Sequence, residues 1–155
     1  MIPLNKRSAS IKKYPVNILR LPAQMESLER FRSFILQKLE LMGLRREIVL
    51  QIELVLEELL SNIIKYTYPH GTGEVEVGCS LERNKLCLSI RDWGTPFNPF
   101  EYETLDPTLD IMDRKIGGLG IYLVKNIVDE YNYQRQGESN FLRVYFTVKP
   151  TINNH

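Results

Sequence analysis

The 155 residues hold only two cysteines, Cys79 and Cys87, and two histidines, His70 and His155. Two cysteines at this spacing make neither a disulfide framework nor a CxxC redox or zinc motif. The two histidines do not form a metal cluster with them. Long apolar runs are also missing: none approaches the roughly 20 residues that a helix needs to cross a bilayer. No apolar stretch followed by small residues opens the chain, so no secretory signal is read. Excess charge is lacking too. Lys and Arg total 20 against 19 Asp and Glu, a net charge of +1, which gives no general attraction to nucleic acid or an acidic membrane surface. The basic residues Lys6, Arg7, Lys12 and Lys13 lie in a poorly patterned arm and read as a solvated tail. A cytoplasmic protein with no nucleic-acid or membrane partner is expected.

The chain length suits one domain with a sizeable core. It is read as residues 15–150, with an arm at 1–14 and a tail at 151–155. Residues 16–21 alternate weakly and predict a first strand. Leu28, Phe31, Ile35, Leu39 and Met42 recur at helical spacing within 25–42, and Gly43 ends that helix. A second helix, 45–66, carries the stripe Ile48, Ile52, Val55, Leu59 and Ile63, which needs a core to cover it. Two strands follow. A two-residue turn at Arg83-Asn84 would pair Leu81 with Leu86, Cys79 with Leu88 and Val77 with Ile90, giving one wholly apolar face. Cys79 then belongs to the core and Cys87 to the other side.

Residues 93–116 break every pattern, with Pro96, Pro99, Pro107 and five acidic residues. A segment of this kind inside a compact domain is usually functional or mobile. A helix from Leu119 to Val128 and strands at 131–136 and 141–149 complete the reading. The fold class expected is α+β, a two-layer sandwich of a mostly antiparallel mixed sheet with three main helices on one face.

Three short segments can carry chemistry. In Glu57-Glu58-Leu59-Leu60-Ser61-Asn62-Ile63-Ile64-Lys65, helical spacing sets Glu58, Asn62 and Lys65 along one stripe. That stripe offers a base, an oxygen ligand for Mg²⁺ and a phosphate partner; a solvated helix face is the plainer reading of the helix alone. In Asp92-Trp93-Gly94-Thr95-Pro96-Phe97, a carboxylate at a strand end can accept from an exocyclic amine, and Gly94 lets backbone approach a flat ring. An ordinary strand-ending turn has the same look. In Gly117-Gly118-Leu119-Gly120, a glycine-rich turn leads into a helix whose N-terminal amides favour phosphate. No GK[ST] follows and no βαβ unit precedes it, so it is neither a Walker A loop nor a dinucleotide fingerprint. As an isolated turn it is more often a plain loop.

Taken together and in this order, the three segments resemble the N, G1 and G2 boxes of the GHKL ATPases, typified by gyrase, histidine kinases and MutL. Within that superfamily the chain is most similar to the anti-sigma factor serine/threonine kinases, from about residue 17 to 149. Leu21-Pro22-Ala23 adds to the likeness. The resemblance implies the Bergerat ATP-binding fold, with ATP and Mg²⁺ as ligands. It implies Glu58 as general base, Asn62 as the Mg²⁺ ligand, and Asp92 as reader of the adenine amine with Gly94 beside the base. Gly117, Gly118, Leu119 and Gly120 would line the phosphates, Lys65 would help to hold them, and residues 100–116 would form a lid from which Arg114 approaches the phosphate tail.

The activity implied is phosphorylation of a serine or threonine on a STAS anti-anti-sigma protein, coupled to sequestration of a sigma factor or other regulator. The alternative is a nucleotide-gated binding module without useful catalysis. Glu58 separates this group from histidine kinases, which usually carry asparagine there. Homodimerisation is a further expectation from the resemblance. Two positions depart from it: Tyr66 stands where many such kinases have histidine, and Ser139-Asn140-Phe141 replaces a Gly-Thr pair. A polar contact near adenine is then either lost or supplied by Ser139 or Asn140.

Overall fold

The computed structural model describes residues 17–101 and 116–149, with residues 17 and 116–119 described by their backbone alone. The arm at 1–14, the tail at 151–155, Arg114 and most of the expected lid lie outside the described residues. Among the described residues five strands form one sheet: β1 (Asn17–Pro22), β2 (Glu74–Glu82), β3 (Lys85–Asp92), β4 (Glu130–Gln136) and β5 (Ser139–Thr147). Their order across the sheet is β1-β2-β3-β5-β4. Every pairing among them is antiparallel. Among the described residues three helices accompany the sheet: α1 (Leu28–Leu41), α2 (Arg46–Tyr66) and α3 (Ile116–Ile127). This is the two-layer α+β architecture read from the sequence.

The β2–β3 hairpin has the anticipated register, with Leu81 opposite Leu86, Cys79 opposite Leu88 and Val77 opposite Ile90. Alternation forces this outcome, because a one-residue slip would turn every apolar side chain to water. Arg83 sits at positive φ, +59°, in the two-residue turn. The inner face is buried throughout: Val75, Val77, Leu86, Leu88, Ile90, Leu142, Val144 and Phe146. Each side chain of this size contributes roughly 1.5–3 kcal/mol on full burial. Cys79 is buried with them and Cys87 is half-buried on the opposite face.

α2 is the central helix of the second layer and packs against both α1 and α3. It buries Ile52, Val55, Leu56, Leu59, Leu60 and Ile63, a wider stripe than the periodicity alone suggests. Just past the end of α1, Gly43 takes a φ of +66°, which lets the chain turn where other residues would be strained. A short 3₁₀ turn, Met25–Ser27, leads into it. At its own end, α2 is closed by Thr67, whose hydroxyl donates to the Ile63 carbonyl at 2.6 Å. Thr67 is buried, and its position just outside the helix matters for the site.

α3 starts earlier than the sequence pattern suggests. A turn at residues 117–120 leading into a helix at Leu119 was the expectation. The helix instead begins at Ile116, so Gly117, Gly118 and Gly120 all lie within its first turns. Glycine lowers helix stability by about 1 kcal/mol relative to alanine, which is why the glycines read as a turn.

Candidate functional site

The residues singled out from sequence fall into two clusters, one where α2 meets α3 and one at the end of β3. On α2, Glu58 and Asn62 are one turn apart, and Asn62 donates from Nδ2 to the Glu58 backbone carbonyl at 2.7 Å. This bond orients the amide, since an oxygen placed there would face another acceptor. The Asn62 Oδ1 therefore points the other way and accepts no hydrogen bond among the described residues. Asn62 is only 5% exposed. An oriented amide oxygen in this setting suits a hard divalent cation that completes its shell with phosphate and water.

Glu58 is half-buried. Burial pushes its carboxyl above the usual carboxylate range, the neighbouring Glu57 carboxylate adds to this, and the Lys65 ammonium opposes it. Lys65 itself is exposed near the end of α2. The first turns of α3 lie directly against Glu58. A Cβ added to Gly120 would stand 1.9 Å from Glu58 Oε2 and 2.7 Å from Cδ. The glycine is thus the space that the carboxyl group occupies. The same contact brings the first turns of α3, near its positive dipole end, beside the Glu58 carboxylate.

The second cluster is at the end of β3. Asp92 is 1% exposed, and its Oδ1 accepts from the Gly94 backbone N–H at 2.9 Å and from Asn140 Nδ2 at 2.9 Å. No hydrogen bond to Oδ2 is made among the described residues. Burial pushes the Asp92 carboxyl up; the hydrogen bonds from Asn140 and Gly94 and the Arg135 guanidinium act the other way. Gly94 presses against the chain beyond α2: a Cβ there would stand 2.1 Å from the Thr67 carbonyl oxygen. That oxygen also accepts from the Thr95 N–H at 2.8 Å. Arg135 of β4 donates to the Gly94 carbonyl at 2.8 Å, and the Tyr66 and Phe97 rings meet at 5.4 Å between centroids. The 94–97 segment is therefore fixed from both layers.

The structure thus joins Glu58 to Gly120 by direct contact and Asp92 to Gly94 by a hydrogen bond. Gly117, Gly118 and Leu119 belong to the same helix start as Gly120. Thr67, Asn140, Tyr133 and Arg135 were not singled out as firm site residues from sequence. Asn140 had a legible signal. It continues the inward phase of Phe146, Val144 and Leu142, as Asp92 continues that of Leu86, Leu88 and Ile90. A polar residue in a buried phase needs a partner, and these two partner each other.

Residues 21–146 match the histidine kinase-like ATPase domain family, and the chain belongs to that family. Among named proteins, it is similar to the serine-protein kinase RsbW of Listeria monocytogenes serovar 1/2a. The two are 25% identical over 142 residues, covering 88% of this chain and 90% of the relative. The serine-protein kinase RsbW of Bacillus mycoides is 20% identical over 151 residues, covering 93% and 92%. In three dimensions the chain resembles the catalytic domain of histidine kinase ThkA, with a TM-score of 0.50 and 15% identity. That match covers 86% of this chain and 99% of the other, and it bears on the fold. Among the described residues, no helix is long and apolar enough to cross a membrane.

Proposed function

We propose that this protein is an ATP- and Mg²⁺-dependent serine/threonine kinase of the anti-sigma factor type, acting in the cytoplasm. Its substrate would be a STAS anti-anti-sigma protein, and a sigma factor or comparable regulator would be the partner it sequesters. The names of the relatives support the class of activity. The observation that carries the chemistry is Glu58: a half-buried carboxylate seated on Gly120, one helical turn from Asn62.

In this reading Asp92 accepts the exocyclic amine of adenine while Gly94 allows the ring to lie close to backbone. The amides of Gly117, Gly118, Leu119 and Gly120 face the phosphates, with Lys65 and Arg114 adding positive charge. A Mg²⁺ ion held by Asn62 Oδ1 would neutralise charge on the phosphate oxygens. Glu58 takes the proton from the substrate hydroxyl as its oxygen attacks the γ-phosphorus, and ADP departs. A carboxyl group raised by burial is suited to that transfer, because a stronger base accepts the proton more readily near neutral pH.

The test is incubation with γ-labelled ATP, Mg²⁺ and a STAS-domain protein encoded beside this gene. Label should reach a serine or threonine of that protein, and Glu58→Gln should lower transfer by about 10²–10⁴ while retaining ATP binding. ATP binding with no transfer to a partner that forms a complex would replace the kinase reading with a nucleotide-gated binding module.

A further inference from the structure

The adenine end of the site contains a residue whose geometry assigns it a task of its own. Asn140 is 0% exposed and stands directly opposite Asp92 in the β3–β5 ladder, with Arg135 opposite it on β4. Its Nδ2 donates both to Asp92 Oδ1 at 2.9 Å and to the Thr95 carbonyl at 2.8 Å. Its Oδ1 accepts from the Phe97 N–H at 3.1 Å and from the Tyr133 hydroxyl at 2.5 Å. Both faces of the amide are thereby used, and it cannot flip without setting donor against donor. The Tyr133 hydroxyl can donate only if the oxygen of Asn140 is on its side, so Tyr133 selects the rotamer. With Gly94 N–H also on Oδ1, one carboxylate oxygen of Asp92 is held by two protein donors. The other carries none among the described residues.

We infer that Asn140, locked by Tyr133, is a positioning residue: it pins Oδ1 of Asp92 and leaves Oδ2 as the single acceptor for the exocyclic amine of the purine. Asn140 need not touch the nucleotide. Its effect falls on the contact that distinguishes a purine with an amine from one without. A site built to pair a ligand N–H rejects the analogue that lacks it, because its buried acceptor is then left unpaired. Loss of the pinning lets Asp92 turn, so that discrimination should fade even where the ribose and triphosphate are still bound. The inference rests on the reading of Asp92 as the adenine-binding residue.

The experiment compares the dissociation constants of ATP and purine riboside triphosphate, which differ by the amine alone. The wild-type protein, Asn140→Ala and Tyr133→Phe are measured by calorimetry with Mg²⁺, alongside thermal unfolding. The wild type should prefer ATP by about tenfold or more. In Asn140→Ala the preference should drop to within about threefold, through weaker ATP binding with little change for the analogue. Tyr133→Phe should shift the ratio the same way by less. If Asn140→Ala fails to melt cooperatively, Tyr133→Phe decides alone, since it removes one hydroxyl from a half-buried side chain. A purely structural role would weaken both nucleotides equally; an unchanged ratio in the folded variants overturns the inference. Absence of binding by the wild type to either nucleotide would instead defeat the underlying site assignment, and this inference with it.

Discussion

The carboxyl group of Glu58 occupies the space in which a side chain at Gly120 would begin, 1.9 Å from the ideal Cβ position. The atom in the way is the end of a flexible side chain rather than backbone. Gly120→Ala should therefore fold, because Glu58 can swing aside and alanine improves helix propensity by about 1 kcal/mol. The unfolding free energy is expected within about 1 kcal/mol of wild type. Phosphoryl transfer should nonetheless fall by about tenfold or more, since a small misplacement of a base is costly. Denaturant unfolding and transfer assays on the same preparation check both halves.

Gly94→Ala should behave differently. Its Cβ would meet the Thr67 carbonyl oxygen at 2.1 Å, and backbone cannot rotate away. A loss of roughly 1–3 kcal/mol is expected from forced overpacking, with ATP binding weakened as the 94–97 segment moves off Asp92. Gly71, with nothing within 4 Å of its added Cβ, is the matched control: Gly71→Ala should leave stability and binding near wild type. Chemical denaturation and calorimetry distinguish the pair.

Glu58→Gln tests the sign of a buried charge. The folded-state pKa of Glu58 is raised, chiefly by burial, so its ionised form costs stability at neutral pH. The stabilisation from its protonated form is fully present below the unfolded carboxylate pKa and is lost as pH rises through the folded pKa. The glutamine variant should thus melt higher than wild type at pH 7, and the difference should shrink as the solution is acidified into the carboxylate range. Transfer should drop by about 10²–10⁴ at all pH values where the wild type is active.

Asp92 links pH to affinity. An amine donor favours an ionised acceptor, and burial raises the Asp92 pKa. ATP affinity should weaken as pH falls through that raised pKa, as the carboxylate gains a proton. Binding of purine riboside triphosphate, which lacks the amine, should follow this acid limb less steeply. Parallel calorimetric titrations across the acid range would show it.

Much of this was legible before any coordinates. Strict alternation in 75–90 put Val77, Cys79, Leu88 and Ile90 on one face, and the two-residue turn at Arg83-Asn84 then selected the register. The spacing of Glu58 and Asn62 placed them on neighbouring turns of a helix, as observed. The start of α3 differs from the sequence pattern: local propensity assigns Gly117 and Gly118 to a turn, whereas both lie within a helix that, as a whole, packs against α2. The clamp on Gly94 was not legible for a different reason. It is made by the carbonyl of Thr67, and every residue has a carbonyl, so side-chain identity carries no trace of it. Asn140 lies between these cases: its buried phase was visible beside Leu142 and Val144, whereas its partnership with Asp92 required the register of β3 against β5.

Calorimetric titration of Mg-ATP into the wild-type protein and into Asp92→Asn bears most directly on the central claim. Asparagine at 92 can keep an oxygen for the Gly94 N–H and Asn140 while presenting a donor to the adenine amine. The buried charge disappears, so stability without nucleotide should be equal or higher. The wild type should bind saturably with one site, and the variant at least about tenfold more weakly. Equal affinity in the two proteins, or no binding by the wild type, would contradict the site described.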